Sequence, residues 1–438
     1  MSLLPFFRTG LTHEFVAWRD GAGISRAQFL RDVAALAASL PDAPYVLNHC
    51  EDRYRFLVGL AAALQRKQVS LFPSSRAPQV LAQLARDYHG CYCLSDQSDE
   101  PATLPVHAYR VESAAGDGGR AESLAFPANQ LAAIAFTSGS TGTPKPYTKT
   151  WGAFVHEARV AGRSLGLRVD TDCMIVATVP AQHMYGFVAS IVLPIQYGYV
   201  VGAARPFYPE DIRRALAAYP HAAILVTTPV HIRACVLERV QLPPPVFVLS
   251  STAPLAPELA AQAEAAFATG VLEFYGSTET GAIAHRRQAE AAHWRLFDDI
   301  EVSVDDDGFN VKAPYFPRTI SLSDRVEIHN AREFSLLGRN ADLVKIAGKR
   351  ISLADLNRRL LAIDGTVDGT FYLPDGDGAR EPRLTAFVVA PGKTRAQLLH
   401  ALKQQIDAVF LPRPLHLVAA LPRNSTGKLP RGDLQRLL

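Results

Sequence analysis

Apolar runs that end in polar loops recur along the chain up to about residue 300. Helix-like segments such as APELAAQAEAAFAT separate these runs. This alternation predicts βα units and a largely parallel sheet, in which ligands bind beyond the carboxyl ends of the strands. The predicted strands, each with the loop that follows it, are LAAIAF before TSGST, CMIVATV before PAQH, AAILV before TTPVH, VFVLS before STAPL and VLEFY before GSTET.

A helical period is clearest near the start of the chain, in RAQFLRDVAALAASL. There Phe29, Val33, Leu36 and Leu40 fall on one face, and a proline separates this segment from the strand-like PYVLN. Apolar residues three and four positions apart are typical of a helix that packs one face against a core.

The pattern changes after about residue 300, where VDDDGFNVKAPYF and ISLSDRVEIH predict antiparallel strands with acidic turns. Further on, Ser352 and Asp355 resemble a capping box that opens an amphipathic helix. We therefore predict an α/β protein with a large N-terminal domain, residues 1–338, whose parallel-rich layered sheets are followed by a β-rich subdomain. A small α+β domain would occupy residues 339–438.

The composition is that of an ordinary globular protein, with 48% hydrophobic and 20% charged residues among 438. Its 45 basic and 42 acidic residues give a net charge of +3, which argues against a nucleic-acid partner or a polybasic membrane patch. The apolar start, MSLLPFF, is interrupted by Pro5 and is too short for a membrane span, so we expect a cytoplasmic protein without a membrane partner. Five cysteines without a Cys-x-x-Cys spacing argue against a disulfide framework or a zinc knuckle.

The segment FTSGSTGTPK, residues 136–145, combines hydroxyl side chains, glycines and a closing lysine. Hydroxyl groups, glycine-exposed N–H groups and a positive charge favour an oxyanion, whereas the same composition also suits a flexible linker. It lacks the Gly-x-x-x-x-Gly-Lys-[Ser/Thr] pattern of a P-loop and the Gly-x-Gly-x-x-Gly pattern of a dinucleotide site. Neither TSGSTG nor YGSTETG forms a Gly-x-Ser-x-Gly nucleophile elbow.

The segment does resemble the phosphate loop of the adenylate-forming superfamily, which comprises acyl- and aryl-CoA synthetases, peptide-synthetase adenylation domains and luciferases. The family pattern Thr-Ser-Gly-Ser-Thr-Gly-x-Pro-Lys-Gly is matched from Thr137 to Lys145, with Pro146 in place of the last glycine. The resemblance extends from about residue 131 to the end, because further family motifs follow in the family's order. They are VPAQHMYGF, SSTAPL, FYGSTETG, SLSDRVEI, GRNADLVKIAGKRI and LPRNSTGKLPRGDL.

The resemblance implies a role for each matching residue. Tyr275 would pack on adenine, Thr278 would contact the carboxylate and phosphate, and Glu279 would bind magnesium. Lys428 would be the adenylation lysine, and it forms the implied catalytic group together with Thr278 and Glu279. The triphosphate loop would comprise Thr137, Ser138, Gly139, Ser140, Thr141, Gly142 and Lys145. The remaining nucleotide contacts would be Ser251, Thr252, Ala253, Gly276, Ser277, Asp324 and Arg339. The acyl pocket would be formed by His183, Met184, Tyr185, Gly186 and Phe187, and Gly348 would border the pantetheine tunnel.

The implied reaction has two steps, with ATP and Mg²⁺ needed for the first and a thiol for the second. A carboxylate attacks the α-phosphate of ATP to give an acyl-adenylate, and the thiol of CoA or of a carrier-protein phosphopantetheine then expels AMP. In the family the small C-terminal domain is mobile and rotates between the steps. Ala341 stands where the acidic hinge residue is usual and Asp342 follows it, so the identity of the hinge residue stays open.

The segment after the implied pocket histidine bears on the substrate. MYGFVASIV contains no acidic residue that could hold an ammonium group, which argues against an α-amino acid. Met184 cannot donate a hydrogen bond to a 2-hydroxyl group, so we expect an aryl acid, such as a hydroxybenzoate, without that requirement. A medium-chain fatty acid is the rival, and the compact chain also resembles ligases that load acyl carrier proteins.

Two other classes of function stay open at this point. A nucleotide-binding protein that has lost turnover is suggested by Ala341, Pro146 and the Ser251–Thr252 pair that replaces the usual glycines. An oxidative second step, as in luciferases, is compatible with the same motifs.

Overall fold

The computed structural model describes residues 2–73, 76–98, 103–111, 124–137, 145–305, 308–339, 343–346, 349–374, 383–424 and 427–438. The chain forms two compact units, which we call the N-terminal unit and the C-terminal unit. Among the described helices, none is both long and apolar enough to cross a bilayer. The N-terminal unit comprises Met1–Leu255, Leu259–Glu301 and Lys312–Ile320, and the C-terminal unit comprises Ala256–Glu258, Val302–Val311 and Ser321–Leu438.

Strands and helices alternate through much of the N-terminal unit, as the apolar pattern predicts. Its strands are β1 Leu3–Pro5, β2 Phe15–Arg19, β3 Ala22–Ser25, β4 Tyr45–Asn48, β5 Val69–Phe72, β6 Tyr92–Ser95, β7 Val106–Ala108, β8 Ala125–Pro127, β9 Leu131–Thr137, β10 Lys145–Thr150, β11 Cys173–Ala177, β12 Val200–Gly202, β13 Ala222–Thr227, β14 Val248–Ser250, β15 Val271–Ser277, β16 Gly281–Arg287 and β17 Trp294–Leu296. Its helices are α1 Arg26–Ser39, α2 Arg53–Gln65, α3 Pro78–Asp87, α4 Trp151–Ser164, α5 Met184–Phe187, α6 Leu193–Tyr197, α7 Pro209–Ala217, α8 Pro229–Leu237 and α9 Pro257–Phe267, with a π-helical turn at Val188–Val192.

Two large sheets form the framework of this unit. In one, the strand order is β10-β9-β5-β4-β6-β7, and only the β10–β9 pair is antiparallel. In the other, β15-β14-β13-β11-β12-β2 are parallel neighbours, with β16 and β17 added antiparallel at one end and β3 at the other. The prediction of an α/β fold with parallel-rich sheets is confirmed.

The first predicted helix is also confirmed, as α1. Phe29, Val33 and Leu36 are buried, and Leu40 is the buried residue at which the helix ends. Ser25 caps the start, because its hydroxyl accepts a hydrogen bond from the Gln28 N–H at 3.2 Å.

The C-terminal unit is made of short antiparallel pairs followed by a small α+β layer. Its strands are β18 Glu301–Asp305, β19 Gly308–Lys312, β20 Ile320–Leu322, β21 Asp324–Asn330, β22 Glu333–Arg339, β23 Leu343–Ile346, β24 Lys349–Ser352, β25 Asp368–Tyr372, β26 Thr385–Val389 and β27 Leu415–Leu417. Its helices are α10 Leu353–Leu361, α11 Arg395–Lys403 and α12 Arg431–Gln435, with a 3-10 turn at Ala408–Phe410.

The predicted helix after Ser352 is α10, which packs on the β25–β26 pair. The Ser352 hydroxyl accepts a hydrogen bond from the Asp355 N–H at 3.1 Å, while the Asp355 carboxylate binds Arg358 and Arg359. Leu360 is buried in the core of this layer. The domain division at residue 339 remains a prediction.

Candidate active site

The phosphate-loop residues connect the two strands of a hairpin. β9 and β10 are antiparallel, and Thr137 lies opposite Lys145 where the paired region ends. Lys145 is exposed. The predicted phosphate contacts Ser138, Gly139, Ser140, Thr141 and Gly142 lie outside the described residues, as does the side chain of Thr137. The sequence predicted the strand before the loop, whereas a second strand, rather than a helix, follows it.

A tight turn between β15 and β16 carries Thr278 and Glu279. The hydroxyl of Thr280 accepts a hydrogen bond from the Ser277 N–H at 3.1 Å, and the Ser277 hydroxyl accepts one from the Thr280 N–H at 3.2 Å. At Gly276 a Cβ atom would lie 1.9 Å from the Gly281 carbonyl oxygen, so only glycine fits there. The side chains of Thr278 and Glu279 remain partly exposed on this turn.

Tyr275 is held from behind by an aromatic and a cationic side chain. Its ring lies 5.3 Å from that of Trp294, and the guanidinium of Arg286 lies 4.2 Å above Trp294. Arg286 also pairs with the buried Glu273 at 2.7 Å. This stack fixes the ring that the resemblance assigns to adenine, and no motif in the sequence indicates it.

Two residues of β10 contact Glu279. The Nζ atom of the buried Lys149 donates a hydrogen bond to the Glu279 carbonyl oxygen at 2.7 Å. Tyr147 lies close to the Glu279 carboxylate, and its pKa is raised by burial first and then by that neighbouring charge. Burial lowers the pKa of Lys149, against the attraction of Glu157 and Glu279. The strand that leaves the phosphate loop thus holds the residue expected to bind magnesium.

Glu157, on α4, supports the far end of the same turn. Its Oε1 atom accepts a hydrogen bond from the Ala282 N–H at 3.0 Å, and a Cβ atom on Gly281 would collide with its carboxylate. Gly281 also has a φ of +72°, which favours glycine for a second reason. Burial raises the pKa of Glu157 to about 7, although the charge of Lys149 lowers it.

This shift predicts a pH dependence of stability. Because the pKa of Glu157 is about 7 in the folded state and near its ordinary 4.5 in the unfolded state, its contribution to stability is complete below pH 4.5. It is lost as the pH rises to 7, by up to about 3 kcal/mol. Urea unfolding measured across that pH range should show a smaller decline in the free energy of unfolding for Glu157→Gln than for the wild type. The exposed Glu238→Gln serves as control, and an unchanged slope in Glu157→Gln would contradict the expectation.

The predicted adenine loop follows β14 and is tied to β15. The Ser251 hydroxyl donates to the Phe274 carbonyl oxygen at 3.0 Å, and the Leu255 N–H donates to the buried Glu273 carboxylate at 2.9 Å. Thr252, where the family has glycine, adopts a φ of +78°. Ala253 follows in the same loop. The backbone conformation that suits glycine is therefore kept although the glycine is not.

A β-branched residue at positive φ is strained, which predicts the effect of restoring glycine. Thr252→Gly should raise the free energy of unfolding by about 1 kcal/mol. The neighbouring Ala253→Gly should lower it, because it only adds freedom to the unfolded chain. Urea denaturation of both variants tests this, and a loss of stability in both would refute the strain at Thr252.

The predicted acyl-pocket residues lie at the start of α5, beyond the carboxyl end of β11. His183 precedes the helix and, like Met184, is partly exposed, while the Tyr185 hydroxyl donates to the Leu249 carbonyl oxygen at 2.7 Å. Gly186 allows close contact, because a Cβ atom there would lie 2.0 Å from the Pro180 carbonyl oxygen. Phe187 is fully buried among the rings of other phenylalanines, namely Phe56, Phe72 and Phe154.

A buried arginine supports this segment from beneath. Arg53 is 1% exposed, and its guanidinium donates to the carbonyl oxygens of Ala177 at 3.2 Å and Val179 at 2.5 Å. Its Nε atom donates to the Ser190 hydroxyl at 3.0 Å, and Ser190 in turn donates to the Gly186 carbonyl oxygen. Burial lowers the pKa of Arg53 to about 9, so it stays cationic near neutral pH.

A polar cluster at the carboxyl ends of β11 and β13 is a further feature that the sequence did not suggest. The buried His231 lies 3.0 Å from the Thr228 hydroxyl and 3.3 Å from the Thr178 hydroxyl, which also contacts Thr227 at 2.9 Å. Burial lowers the pKa of His231 to about 4, so the imidazole is neutral near pH 7.

The predicted ribose contacts belong to the C-terminal unit. Asp324 lies opposite Arg339 in the β21–β22 hairpin, which brings these two positions together, although the Arg339 side chain is outside the described residues. Gly348 is also outside them, between the end of β23 and the start of β24.

Lys428 lies on an exposed turn of the C-terminal unit. Its N–H donates to the Asn424 side chain at 2.9 Å, and its carbonyl oxygen accepts from the Asn424 N–H at 2.9 Å. Arg423 anchors the turn, because it forms two hydrogen bonds of 2.6 Å to Asp368 and one to the Gly427 carbonyl oxygen.

The donor chemistry at Glu279 suits Mg²⁺. The ion prefers hard oxygen ligands and is usually bound through one or two carboxylates, substrate phosphates and water. In the part of the chain that the structure describes, no three His, Cys, Asp or Glu side chains form a cage of their own for a metal ion. A single carboxylate on a turn that β10 holds in place fits this mode of binding.

Comparisons with known proteins agree with the motifs. The sequence profile described as AMP-binding enzyme matches residues 23–311. A 4-coumarate–CoA ligase of Rhodobacter capsulatus is 30% identical over 309 residues, which are 70% of this chain and 76% of that protein. A 4-coumarate–CoA ligase of Halorhodospira halophila is 29% identical over 319 residues, covering 71% and 78%.

A solved structure shares the fold. The o-succinylbenzoate CoA synthetase of Bacillus subtilis, solved with the acyl-adenylate intermediate OSB-AMP, superposes with a TM-score of 0.81 at 19% identity, over 99% of each chain. Since the family profile covers well over half of the sequence, the chain belongs to the AMP-binding enzyme family, and with it to the acid–thiol ligases of the adenylate-forming superfamily.

Proposed function

We propose that this protein activates an aryl carboxylic acid as its acyl-adenylate and transfers the acyl group to a phosphopantetheine thiol. The observation that carries the proposal is the contact between β10 and Glu279. It joins the strand that leaves the phosphate loop to the turn that bears the acidic ligand, with Lys149 bonded to Glu279 at 2.7 Å. Two residues that are 130 positions apart in the sequence are thereby in contact, which supports the proposal that their segments bind one nucleotide.

In the first step a carboxylate must approach a triphosphate of the same charge, so positioning and charge neutralisation supply most of the catalysis. Lys145 and the hydroxyl and N–H groups of residues 137–142 hold the β- and γ-phosphates, and Thr278 orients the reacting groups. Magnesium bound at Glu279 supplies further neutralisation of the phosphate charge. Lys428 binds the carboxylate and the bridging oxygen, and no general base is needed because the acid is already ionised at neutral pH.

Tyr275, Gly276, Ser277 and residues 251–253 hold the adenine, and Asp324 and Arg339 hold the ribose hydroxyls. In the second step the C-terminal domain withdraws Lys428 and brings Gly348 to the thiol tunnel. The thiol then attacks the acyl carbonyl carbon and AMP leaves. Residues 339–438 move as this domain.

The acid is an aromatic or arylpropenoic acid, with His183 and Met184 at its ring. The acyl segment 183–192 carries no acidic side chain for an amino group, and two relatives of the chain are 4-coumarate–CoA ligases. Met184 offers no hydrogen bond to a 2-hydroxyl group, which favours acids that lack one. A medium-chain fatty acid is the second candidate, because the partly buried pocket segment is largely apolar.

CoA is the acceptor favoured by the relatives, whose names are those of CoA ligases. An acyl carrier protein presents the same phosphopantetheine arm and is the alternative acceptor. The protein acts in the cytoplasm, where ATP and CoA are available.

Exchange of labelled pyrophosphate into ATP tests the function, because it needs only the first step. We expect exchange with 4-coumarate, cinnamate or a 3- or 4-hydroxybenzoate, weaker exchange with octanoate, and none with α-amino acids. Adding CoA, or a holo carrier protein, should then give the thioester. ATP binding without exchange for any acid in the panel would refute the ligase and favour a non-catalytic nucleotide-binding protein. Adenylate formation followed by oxygen uptake instead of thioester would favour the oxidative alternative.

A further inference from the structure

One face of β10 carries three residues with related tasks. Side chains alternate along a strand, so Lys145, Tyr147 and Lys149 share a face. The first closes the phosphate loop, and the other two contact Glu279, one through its carboxylate and one through its carbonyl oxygen. A displacement of this strand would therefore move the phosphate lysine and the acidic turn together.

Lys149 differs from the other two because it is buried. Only 7% of its surface is exposed, and its Nζ atom lies 2.7 Å from the Glu279 carbonyl oxygen and 6.0 Å from the centre of the Phe316 ring. A lysine is almost never this buried without a charged partner. Glu157, itself 2% exposed, supplies the opposite charge.

The acidic turn is thus held at both ends. Lys149 binds the carbonyl oxygen of Glu279, and Glu157 binds the N–H of Ala282 at 3.0 Å. The absence of a side chain at Gly281 leaves room for the Glu157 carboxylate. Two buried residues of opposite charge are seldom retained for stability alone, since apolar side chains of similar size often serve as well.

We propose that Lys149 is a positioning residue that fixes the backbone of Glu279 for binding of magnesium-complexed ATP, with Glu157 balancing its charge. The inference rests on the proposed function only in taking Glu279 as the magnesium ligand. Lys149 touches neither nucleotide nor metal; it acts through the carbonyl group of the residue that does.

Three variants separate this role from a merely structural one. Lys149→Met removes the hydrogen bond to Glu279 and leaves Glu157 buried without the nearby positive charge of Lys149. Glu157→Gln keeps both the acceptor for Ala282 and the lysine. The double variant Lys149→Met with Glu157→Gln removes both charges, so it regains stability while the bond to Glu279 stays broken. Thr148→Ala, at the exposed neighbour on β10, is the matched control.

The measurement is calorimetric titration of the full-length chain with ATP, at several Mg²⁺ concentrations and in EDTA, together with thermal unfolding. We expect Lys149→Met and the double variant to weaken ATP binding about tenfold in Mg²⁺ and less than twofold in EDTA. Glu157→Gln and Thr148→Ala should stay within about twofold under both conditions. Thermal unfolding should show the double variant as more stable than Lys149→Met.

Wild-type binding by the double variant in Mg²⁺ would overturn the proposal, and so would an equal loss with and without Mg²⁺. The double variant carries the test even where Lys149→Met does not fold. If the proposed function is wrong, the wild type will show magnesium-dependent ATP binding but will activate no acid. The comparison of ATP affinities among the variants then still tests the role of Lys149.

Discussion

Replacing Lys428 with alanine is expected to lower acid-dependent ATP–pyrophosphate exchange at least about 100-fold, because the variant lacks the positive charge that the adenylation step places beside the carboxylate. Conversion of a supplied acyl-adenylate to thioester should remain within about threefold of wild type, since in the proposed mechanism the lysine is withdrawn before the thiol attacks. The fold should be intact, because Lys428 is exposed and the segment before it is anchored by the ion pair of Arg423 with Asp368.

The two half-reactions are measured separately, by exchange of labelled pyrophosphate and by thioester formation from synthetic acyl-AMP. Lys403→Ala, an exposed lysine of α11 in the same unit, is the control and should change neither rate. Equal losses in both half-reactions would refute the assignment of Lys428 to adenylation alone.

Replacing Arg53 with methionine should lower the free energy of unfolding by about 3–5 kcal/mol. The variant leaves the buried carbonyl oxygens of Ala177 and Val179 without their donor, and each unsatisfied group costs about 1–3 kcal/mol. It also removes the donor to the Ser190 hydroxyl, which links Arg53 to Gly186. The apparent KM for the acid should therefore rise even under conditions in which the variant is folded.

Urea unfolding and acid-dependent kinetics measure the two effects. Arg66→Met, at the end of the same helix, is the control: Arg66 is exposed, and its partner Asp42 lies 3.4 Å away and is fully exposed. Arg66→Met should lower the free energy of unfolding by less than about 1 kcal/mol. If the two variants were equally stable, Arg53 would not be the support of the acyl segment.

The strands could be predicted because burial on both faces leaves a local signal. LAAIAF, CMIVATV and AAILV became β9, β11 and β13, and each consists mainly of apolar residues. Those runs end where the predicted loops begin. What lies beside each strand is a matter of long-range pairing, so the sequence could not show that β10 returns antiparallel along β9.

The buried charges could not be predicted from residue type, because charged side chains are by default solvated. The position of Glu157 in the sequence nevertheless indicates that it is buried. It lies three residues after Phe154 and four before Ala161, on the apolar face of α4, where a hydrophobic residue would be expected. No comparable pattern indicates that Arg53 is buried. It begins helix α2, whose next residues are nearly all buried, so the helix has no single apolar face on which Arg53 would stand out.

The resemblance could locate the residues of the motifs but not the residues that support them. The turn of Thr278 and Glu279 and the loop of Ser251 and Thr252 could be placed, and they lie against β10 and β15, respectively. The supports of those loops, Lys149, Glu273 and Trp294, belong to no motif. Their tasks depend on contacts made only in the folded chain, so a motif search passes over them.

The cysteines, which all lie in described parts of the chain, bear on how the enzyme can be assayed. None is in a disulfide and each is buried, namely Cys50, Cys91, Cys93, Cys173 and Cys235. Burial raises the pKa of Cys173 and of Cys235 to about 12, so neither forms the reactive thiolate near neutral pH. An aromatic disulfide reagent that releases a coloured thiolate should therefore react with the free thiol of the acceptor and not with the native protein. The consumption of the acceptor thiol can then be followed photometrically without first alkylating the enzyme.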